Sequence, residues 1–388
     1  MPAANQSCLD ALDEGLVIKV LERVPFESHA SLRVVSKRIK IIVASPEFRK
    51  WRKSRGLAEY GLLIAGGHWY LPSQALHLRS SRHPILGEWK GIFAYSSMFT
   101  SGRWQAITPL MGLRHKACCA IVEDEDGQPE MWVMGGIDAY VCCTATVEAY
   151  NPRTNTWRSC LSMRQRRSGA VAGIVGGRLV VAGGVNDGGS LTTVEAYTPT
   201  GWTPLPPLPH AYYNATACVV NGRLYVMSEP FEWTFSSNKL QVLEMSEENV
   251  FFWTVKGELP TLLPPTDLSW PHNSNPSESI QTASAEVDGK LWLIGWRNRF
   301  TNARASRSVS IYDTKTDAWA TGPALPFPTT NCVATILDGV LYVLATVRTI
   351  LGLYRQDVYR LRADKWEVVT VNLAWPRRNS ACASLCLG

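Results

Sequence analysis

The sequence predicts a mainly-β fold, in which similar sheets stack into a ring known as a β-propeller, behind a small helical unit. The first observation is a lone tryptophan that recurs every 45 to 66 residues. The second is an apolar run, often ending in glycine, that comes before most of these tryptophans. A repeat of about 50 residues in an all-strand sequence is typical of propellers, because one repeat cannot bury its own apolar faces. The recurring residues are Trp104, Trp157, Trp202, Trp253, Trp319 and Trp366.

The apolar run is the clearest strand of each repeat. It is short and continuous, which is typical of strands that are buried on both faces. Asn221-Gly222, Asp288-Gly289 and Asp338-Gly339 precede three of the runs, and such pairs adopt the positive φ angles that tight hairpins need. The runs occupy residues 62–67, 131–136 and 179–184, with weaker copies at 224–227, 291–295 and 341–344.

A strand ending in tyrosine follows the apolar run and is separated by a turn from the tryptophan. Residues 147–150, 194–197 and 309–312 show this pattern. A glycine pair, a tyrosine strand, a turn and a tryptophan resemble the kelch repeat, which forms four-stranded propeller blades. The resemblance covers about residues 60–388 and is strongest in the second and third repeats.

The two ends of the repeat region complement each other. Residues 61–67 form a second strand with no first strand before it, whereas residues 379–386 resemble a first strand such as 168–174. Pairing of these two strands would make one composite blade and remove the exposed sheet edges. We therefore predict a six-bladed propeller over residues 59–388, closed by pairing of the N- and C-terminal strands, with a first blade composed of 59–110 and 376–388.

Residues 1–58 lack the repeat and are predicted to be helical. Leu12, Leu16, Val20 and Val24 form an apolar stripe, and Pro25 ends that helix because proline excludes the α conformation from the residue before it. A second helix is predicted through Leu32, Val35, Ile39 and Ile42. Eight basic residues lie between 37 and 55, which favours a solvated helix face and leaves a nuclear-import signal as the alternative.

The order of residues in this helical unit resembles an F-box, most closely that of plant F-box/kelch-repeat proteins. The resemblance rests on residues 12–16, 21–25, 32–38 and 45–48, with Asp13 and Ile39 where the family usually has Pro and Trp. It implies docking on the Skp adaptor of a cullin–RING (SCF) ubiquitin ligase core. The expected adaptor-binding residues are Leu12, Leu16, Val20, Val24, Pro25, Leu32 and Val35.

The loops on one face of the predicted ring carry more basic than acidic residues, together with tyrosines. Guanidinium groups bind carboxylates and phosphates in a bidentate manner, so this face suits an acidic or phosphorylated protein substrate. The alternative is that these arginines bind loop carbonyls and carboxylates between blades. The predicted substrate-binding residues are Arg114, His115, Arg166, Arg167, Tyr212, Tyr213, Arg297, Arg377 and Arg378.

Composition argues against several other functions. The net charge is only +6, which does not indicate a nucleic-acid partner without a clustered patch, and no apolar run is long enough for a membrane span. The ten cysteines include no C-x-x-C pair, and the histidines form no compact ligand motif, so we expect no metal and no other cofactor. Acidic residues near the N-terminus argue against a signal peptide and favour a cytoplasmic or nuclear protein.

We therefore predict a non-catalytic substrate receptor of an SCF-type ubiquitin ligase. The F-box would dock on the adaptor, and the propeller would hold the protein destined for ubiquitination. The alternative is a kelch scaffold that binds proteins without a role in ubiquitin transfer. If the loop face binds substrate, replacing Arg166 and Arg167 together by Glu is expected to abolish substrate capture and to preserve adaptor docking.

Overall fold

The structure is a computed structural model, and the described part of its N-terminal unit contains three short helices. The helices are α1 (Glu14–Leu21), α2 (Lys37–Ala44) and α3 (Pro46–Ser54). No helix among the described residues is long and apolar enough to cross a membrane. The structure describes residues 13–24, 36–55, 60–65, 68–69, 92–96, 105–108, 110–112, 114–138, 140–212, 215–227, 239–259, 282–295, 306–337, 339–348, 354–373, 377–378 and 381–386.

Polar side chains cap each of these helices. Asp13 accepts a hydrogen bond from the backbone N–H of Leu16 at 3.3 Å, and the Ser36 hydroxyl accepts one from the N–H of Ile39 at 3.1 Å. Ser45 caps α3 in the same way, and Pro46 occupies the first helical position, where its missing N–H costs nothing. Asp13, which departs from the F-box pattern, thus has a capping role in this chain.

The helical unit has a small core of its own. Val17 and Leu21 of α1 pack with Ile42 and Val43 of α2 and with Phe48 of α3. Ile39, the second departure from the F-box pattern, also lies in this core. The departure therefore keeps an apolar side chain where the helices meet.

Thirty strands make up the rest of the described chain. Most belong to four-stranded sheets, and the shortest form two-stranded ladders in the loops. The first fifteen strands are β1 (Tyr60–Ala65), β2 (His68–Trp69), β3 (Ile92–Ser96), β4 (Gln105–Ile107), β5 (Arg114–His115), β6 (Cys118–Glu123), β7 (Pro129–Met134), β8 (Ile137–Asp138), β9 (Val147–Asn151), β10 (Thr156–Cys160), β11 (Val171–Val175), β12 (Arg178–Ala182), β13 (Val185–Asn186), β14 (Gly189–Ser190) and β15 (Val194–Thr198).

The remaining strands continue the same pattern of short antiparallel elements. Within the described chain they are longest near the C-terminal end, where β25 to β28 each have nine residues. They are β16 (Gly201–Leu205), β17 (Thr216–Val220), β18 (Arg223–Met227), β19 (Lys239–Met245), β20 (Phe251–Glu258), β21 (Ala283–Val287), β22 (Lys290–Ile294), β23 (Val309–Asp313), β24 (Ala318–Thr321), β25 (Thr329–Leu337), β26 (Val340–Arg348), β27 (Tyr354–Arg362), β28 (Lys365–Leu373), β29 (Arg377–Arg378) and β30 (Ala381–Cys386).

Five four-stranded antiparallel sheets are each built from consecutive parts of the chain. Their strand orders are β6-β7-β9-β10, β11-β12-β15-β16, β17-β18-β19-β20, β21-β22-β23-β24 and β25-β26-β27-β28. The first strand of each sheet contacts the first strand of the next, so the sheets stack side by side. This arrangement confirms the predicted mainly-β propeller architecture behind an N-terminal helical unit.

A further four-stranded sheet combines both ends of the repeat region, in the order β30-β1-β3-β4. For reference, we number this sheet as the first blade and the five consecutive sheets as the second to the sixth. Strand β30 runs antiparallel to β1, with Leu62 opposite Ser384 and Ala65 opposite Ala381. The predicted count of six blades and the closure of the ring stay predictions, and we treat them below as proposals.

In three of the sheets a tyrosine and the tryptophan face each other on neighbouring strands, as the sequence pattern predicted. Tyr150 lies opposite Trp157, and the same pairing recurs in the next blade and in the fifth. Each indole N–H of four repeats also donates to a carbonyl in the chain segment that leaves the preceding sheet. These bonds join Trp157 to Thr108, Trp202 to Leu161, Trp253 to Pro206 and Trp366 to Pro323, at 2.8 to 2.9 Å.

The glycine pair at the end of β7 is required by close backbone packing. Gly135 and Gly136 have φ angles of 63° and 106°. A Cβ at Gly136 would lie 2.7 Å from the carbonyl oxygen of His115, and one at Gly135 would collide with the carbonyl oxygen of Arg167. Any larger residue would therefore push the loops away from the end of the strand.

Replacing Gly135 by alanine is expected to destabilise the protein by about 2–4 kcal/mol, because strained backbone and steric overlap with a carbonyl add together. Urea unfolding measures this loss. Gly127 is the matched control, since it also has a positive φ but has open space around it. Gly127→Ala is expected to cost only about 1 kcal/mol. Equal losses for the two variants would show that the close approach at Gly135 contributes nothing.

Candidate functional site

The connections between strands divide the stacked sheets into two faces. Because neighbouring strands are antiparallel, successive connections alternate between the two ends of a sheet. We call one end the loop face; its described parts in the second to fourth blades are residues 110–112, 114–117, 135–138, 140–146, 161–170, 183–193, 206–212 and 215. The opposite end is the turn face, which includes residues 124–128, 152–155, 176–177, 221–222 and 246–250.

Two arginines of the loop face are buried in ion pairs. Arg167 is fully buried, and its Nη2 lies 2.5 Å from the Oε1 of Glu195 on β15. Arg114 forms the equivalent buried pair with Glu148 on β9. Burial lowers the pKa of the Arg114 guanidinium, and the neighbouring Glu148 carboxylate opposes that effect.

These ion pairs fix the loops that lead into the innermost strands. The Nη1 of Arg167 donates to the carbonyls of Gly183 at 2.7 Å and Thr193 at 3.0 Å. The Glu195 carboxylate in turn accepts the backbone N–H groups of Arg164 at 2.7 Å and Gln165 at 3.2 Å. Each pair therefore ties the entering loop to the second and third strands of its blade.

The fourth blade replaces this ion pair by neutral groups. Tyr212 is buried, and its hydroxyl donates to the carbonyl of Lys239. Burial raises the pKa of Tyr212 to about 12. Gln241, on the third strand, donates to the carbonyl of His210 and accepts its backbone N–H, at 3.0 and 2.9 Å. The equivalent loop of the fourth blade is thus anchored without a charged pair.

Burial corrects part of the predicted substrate face. Arg114, Arg167 and Tyr212 were predicted to contact substrate, and this prediction is wrong because their polar groups bind loop carbonyls and carboxylates inside the protein. The Arg166→Glu and Arg167→Glu double variant is also a poor test of binding. Placing a glutamate at the buried position 167 would set it against Glu195 and disrupt the blade.

The other predicted face residues have varied positions. Arg166 is exposed, and His115 is half-buried in β5, opposite Ile137. Arg377 and Arg378 lie in β29, which pairs with Trp69 and His68 of β2. Tyr213 and Arg297 lie outside the described residues. Only part of the predicted set therefore shares an accessible surface.

The apolar stripe of α1 separates into two groups. Val17 and Leu21 are buried in the helical core, whereas Leu16 and Val20 are 49% and 59% exposed. The sequence analysis did not select Ile41 of α2, which is 70% exposed. Val24 is half-buried, and the predicted adaptor-binding residues Leu12, Pro25, Leu32 and Val35 lie outside the described residues.

A hydrogen bond connects the helical unit to the propeller. The Nη1 of Arg153, in the turn between β9 and β10, donates to the carbonyl of Val43 near the end of α2 at 3.1 Å. This turn belongs to the turn face. The helices thus contact the end of the second blade that lies opposite the loop face.

Exposed charges differ between the two faces. Arg164, Arg166 and His210 are exposed on the loop face in the second to fourth blades, whereas Asp187 is an exposed acid there. Over the second to sixth blades, the turn face carries exposed carboxylates at Glu125, Asp126, Glu247, Glu248, Asp288, Asp317 and Asp364. Its exposed cationic groups are Lys315 and Lys365, with Arg178, Arg223, Lys290 and Arg362 at the adjoining strand ends. Within the described parts of the chain, no group of three potential ligands could hold a metal ion.

Removing the carboxylate partner of Arg167 is expected to destabilise the protein strongly. Glu195→Gln leaves a buried guanidinium without its counter-charge, which typically costs about 3–5 kcal/mol. Denaturant unfolding measures the loss, and Glu367→Gln provides the control because the Arg360–Glu367 pair is accessible to solvent. That control is expected to cost about 0–1 kcal/mol. A Glu195 variant as stable as the control would contradict the anchoring role of the pair.

Two protein families match parts of the chain. The F-box domain model matches residues 9–51, and the Kelch motif model matches residues 128–164, 166–209 and 281–326. The kelch matches coincide with the second, third and fifth blades. The F-box match includes all three helices except the end of α3.

Several known proteins are similar over most of the chain. Two F-box/kelch-repeat proteins of Arabidopsis thaliana, At1g22040 and At1g67480, are 25% and 24% identical. Each match covers 80% of this chain, and 70% and 71% of the respective relatives. Kelch-like protein 23 of Homo sapiens is 24% identical, over 66% of this chain and 42% of its own length.

A solved structure supports the fold. The protein titled "Structure of YjhT" superposes with a TM-score of 0.53 at 14% identity, and it covers 72% of this chain and 91% of that one. Such low identity supports the propeller fold alone. The chain thus combines an F-box with kelch motifs and is similar to F-box/kelch-repeat proteins, which confirms the resemblance seen in its sequence.

Proposed function

We propose that this protein is the substrate-recognition subunit of an SCF-type ubiquitin ligase. Its F-box docks on the Skp adaptor, and its propeller holds a protein substrate. The observation that carries this proposal is the F-box match at residues 9–51 in front of the kelch motifs. In this function the chain catalyses no reaction, and it raises the local concentration of a substrate lysine near the ubiquitin-conjugating enzyme.

The exposed residues of α1 and α2 support the adaptor contact. Leu16, Val20 and Ile41 leave apolar side chains in solvent, while the neighbouring Val17 and Leu21 already fill the helical core. Exposed apolar groups beside the core of the described helices favour a protein partner. The proposed docking surface therefore consists of Leu16, Val20 and Ile41, together with the F-box residues that the sequence analysis selected.

The proposed division of labour also explains the orientation of the two parts. The contact from Arg153 to Val43 lies on the turn face. An F-box held at that face leaves the loop face free to bind substrate. We propose the division into residues 1–58 for the F-box and 59–388 for the propeller, acting in the cytoplasm, the nucleus or both.

We further propose that the propeller is a closed ring of six blades. The composite sheet would be the first blade, made from residues 59–110 and 376–388. Strand β30 pairs with β1 in a continuous register, and it contacts both β6 and β25. These are the first strands of the sheets that would lie on either side of it. Closure would join the ends of the ring through β-sheet hydrogen bonds.

A kelch interaction scaffold without a ubiquitin-ligase role is the second candidate. The similarity to Kelch-like protein 23, a relative named for its kelch repeats, favours a general protein-binding role for the repeats. The two candidates differ in adaptor binding. They agree that the propeller binds a protein.

Adaptor binding tests the proposed function directly. The full chain is co-expressed with a Skp adaptor, and the dissociation constant of the purified pair is measured. Replacing Leu16 and Val20 together by Asp is expected to weaken binding by more than about tenfold, because binding would bury two carboxylates in an apolar interface without partners. Val250→Asp is a control, since Val250 is similarly exposed but lies on the turn face of the fourth blade. A wild-type chain that folds but does not bind the adaptor would favour the scaffold.

Ring closure is tested by a disulfide. Ile64 lies opposite Cys382 in the β1–β30 register, so Ile64→Cys is expected to form a cross-link with Cys382 under oxidising conditions. Protease digestion and mass spectrometry would identify the linked peptides. Leu63→Cys is the matched control, because Leu63 lies opposite Ala383. Equal cross-linking of both variants, or none at position 64, would contradict the proposed pairing.

A further inference from the structure

An apolar loop tip projects from the loop face of the second blade. Strands β5 and β8 form a short ladder, and Asp138 at the end of β8 is then hydrogen-bonded to Val141 and Cys142. Tyr140 and Val141 at this turn are 86% and 76% exposed. These are the largest exposed fractions among the large apolar side chains of the described chain. We call residues 138 and 140–142 the Tyr140–Val141 tip.

Four hydrogen bonds stabilise the tip despite its exposure. The backbone N–H of Asp138 donates to the carbonyl of Cys142 at 3.0 Å, and the N–H of Val141 donates to the carbonyl of Asp138 at 3.1 Å. The Asp138 carboxylate accepts the N–H groups of Tyr140 and Cys142 at 2.9 and 3.0 Å. An ordered tip loses little entropy when it binds a partner.

Val141 has a conformation that is unfavourable for its side chain. Its φ angle is 65°, and turns of this kind usually place glycine or asparagine there. A β-branched residue in this region is strained. Valine therefore makes the loop less stable than asparagine would, and it contributes an exposed apolar surface.

Two exposed arginines lie on the loop that is bonded to this one. The N–H of Gly136 donates to the carbonyl of Arg167, and the N–H of Arg167 donates to the carbonyl of Thr144, at 2.9 and 3.1 Å. Met163 donates to Ala145 at 2.9 Å. The segment held by these bonds, residues 163–167, includes Arg164 and Arg166, whose side chains are exposed.

We propose that the Tyr140–Val141 tip, together with Arg164 and Arg166, is a docking site for an acidic peptide segment that carries an apolar side chain. This inference rests on the proposed role of the loop face in substrate binding. Tyr140 and Val141 provide the apolar contact, and the two guanidinium groups pair with carboxylates that flank the apolar residue.

Charge complementarity favours an acidic occupant over a basic one. Among the described residues of these two loops, the carboxylate of Asp138 already accepts two backbone N–H groups of the tip. Glu148 and Glu195, which lie beneath the loops, are buried in their ion pairs. Among the described residues of these two loops, the fully exposed charged side chains are those of Arg164 and Arg166, and the next loop along the face carries the exposed acid Asp187.

The test selects peptides from a phage-displayed library of random sequences on the immobilised full chain. We expect the enriched peptides to combine an aromatic or aliphatic residue with Asp or Glu. Affinities of synthetic copies are then measured for Tyr140→Ala, Val141→Asn and Arg166→Glu, each of which is expected to weaken binding by about tenfold. A copy with phosphoserine in place of Asp distinguishes the two sources of anionic charge.

The variants separate binding from folding. Val141→Asn should keep or raise the melting temperature, because asparagine tolerates the positive φ angle, while it removes the apolar contact. Val250→Asn and Lys315→Glu are matched controls on the turn face, where both residues are exposed. Both controls are expected to bind the selected peptides like the unaltered chain.

Three results would overturn the proposal: a selection that enriches no peptides, enriched peptides that are basic, or affinities unchanged by the tip and arginine variants. The outcome is distinguishable from failure of the proposed function, because the selection uses the full chain without the adaptor. Adaptor binding with unaffected peptide binding would leave the ligase role intact and move the substrate site elsewhere.

Discussion

A buried guanidinium facing a carboxylate is the interaction on which the loop face of the second and third blades depends. Removing these charges from water is costly, and only close pairing with further hydrogen bonds compensates for that cost. Arg167 meets this requirement through Glu195 and two carbonyls. Burying the charge also restricts the loop, because few other loop conformations would keep the guanidinium paired.

The tryptophans perform a related task at the outer edge of the sheets. The indoles of Trp157 and Trp202 each pack against a tyrosine of their own blade, while their N–H groups bind carbonyls of the chain leaving the preceding blade. A blade therefore completes its hydrogen bonding only when its neighbour is present. This dependence explains why the tryptophan recurs at a similar place in each repeat: the indole N–H must reach a backbone carbonyl of the adjacent repeat.

The strand architecture was predictable because its signals are local and repeated. Apolar runs, tight-turn glycines and the Tyr–Trp strand pairs occur at similar separations, and packing between neighbouring repeats selects the same pattern each time. The placement of the site residues was less predictable. Whether Arg167 is exposed depends on Glu195, 28 residues away in sequence, and Arg166 beside it has the opposite fate. A usable signal was present: Glu148 and Glu195 are charged residues in otherwise apolar strands, which indicates buried partners.

The F-box departures show why a family pattern alone also misjudges individual residues. Asp13 caps α1 and Ile39 joins the helical core, so neither change opens a gap in that unit. Exposure, which the pattern does not encode, separates Leu16 from Val17 although the two are adjacent.

The anchoring of the loops changes along the propeller, and this change bears on where a partner can bind. Charged anchors hold the second and third blades, whereas the fourth uses Tyr212 and Gln241. The Tyr140–Val141 tip and the exposed residues Arg164 and Arg166 belong to loops that these charged anchors hold. A buried ion pair beneath such loops supplies rigidity without using their exposed side chains. Those side chains are then available to a partner, and binding requires little further ordering of the protein.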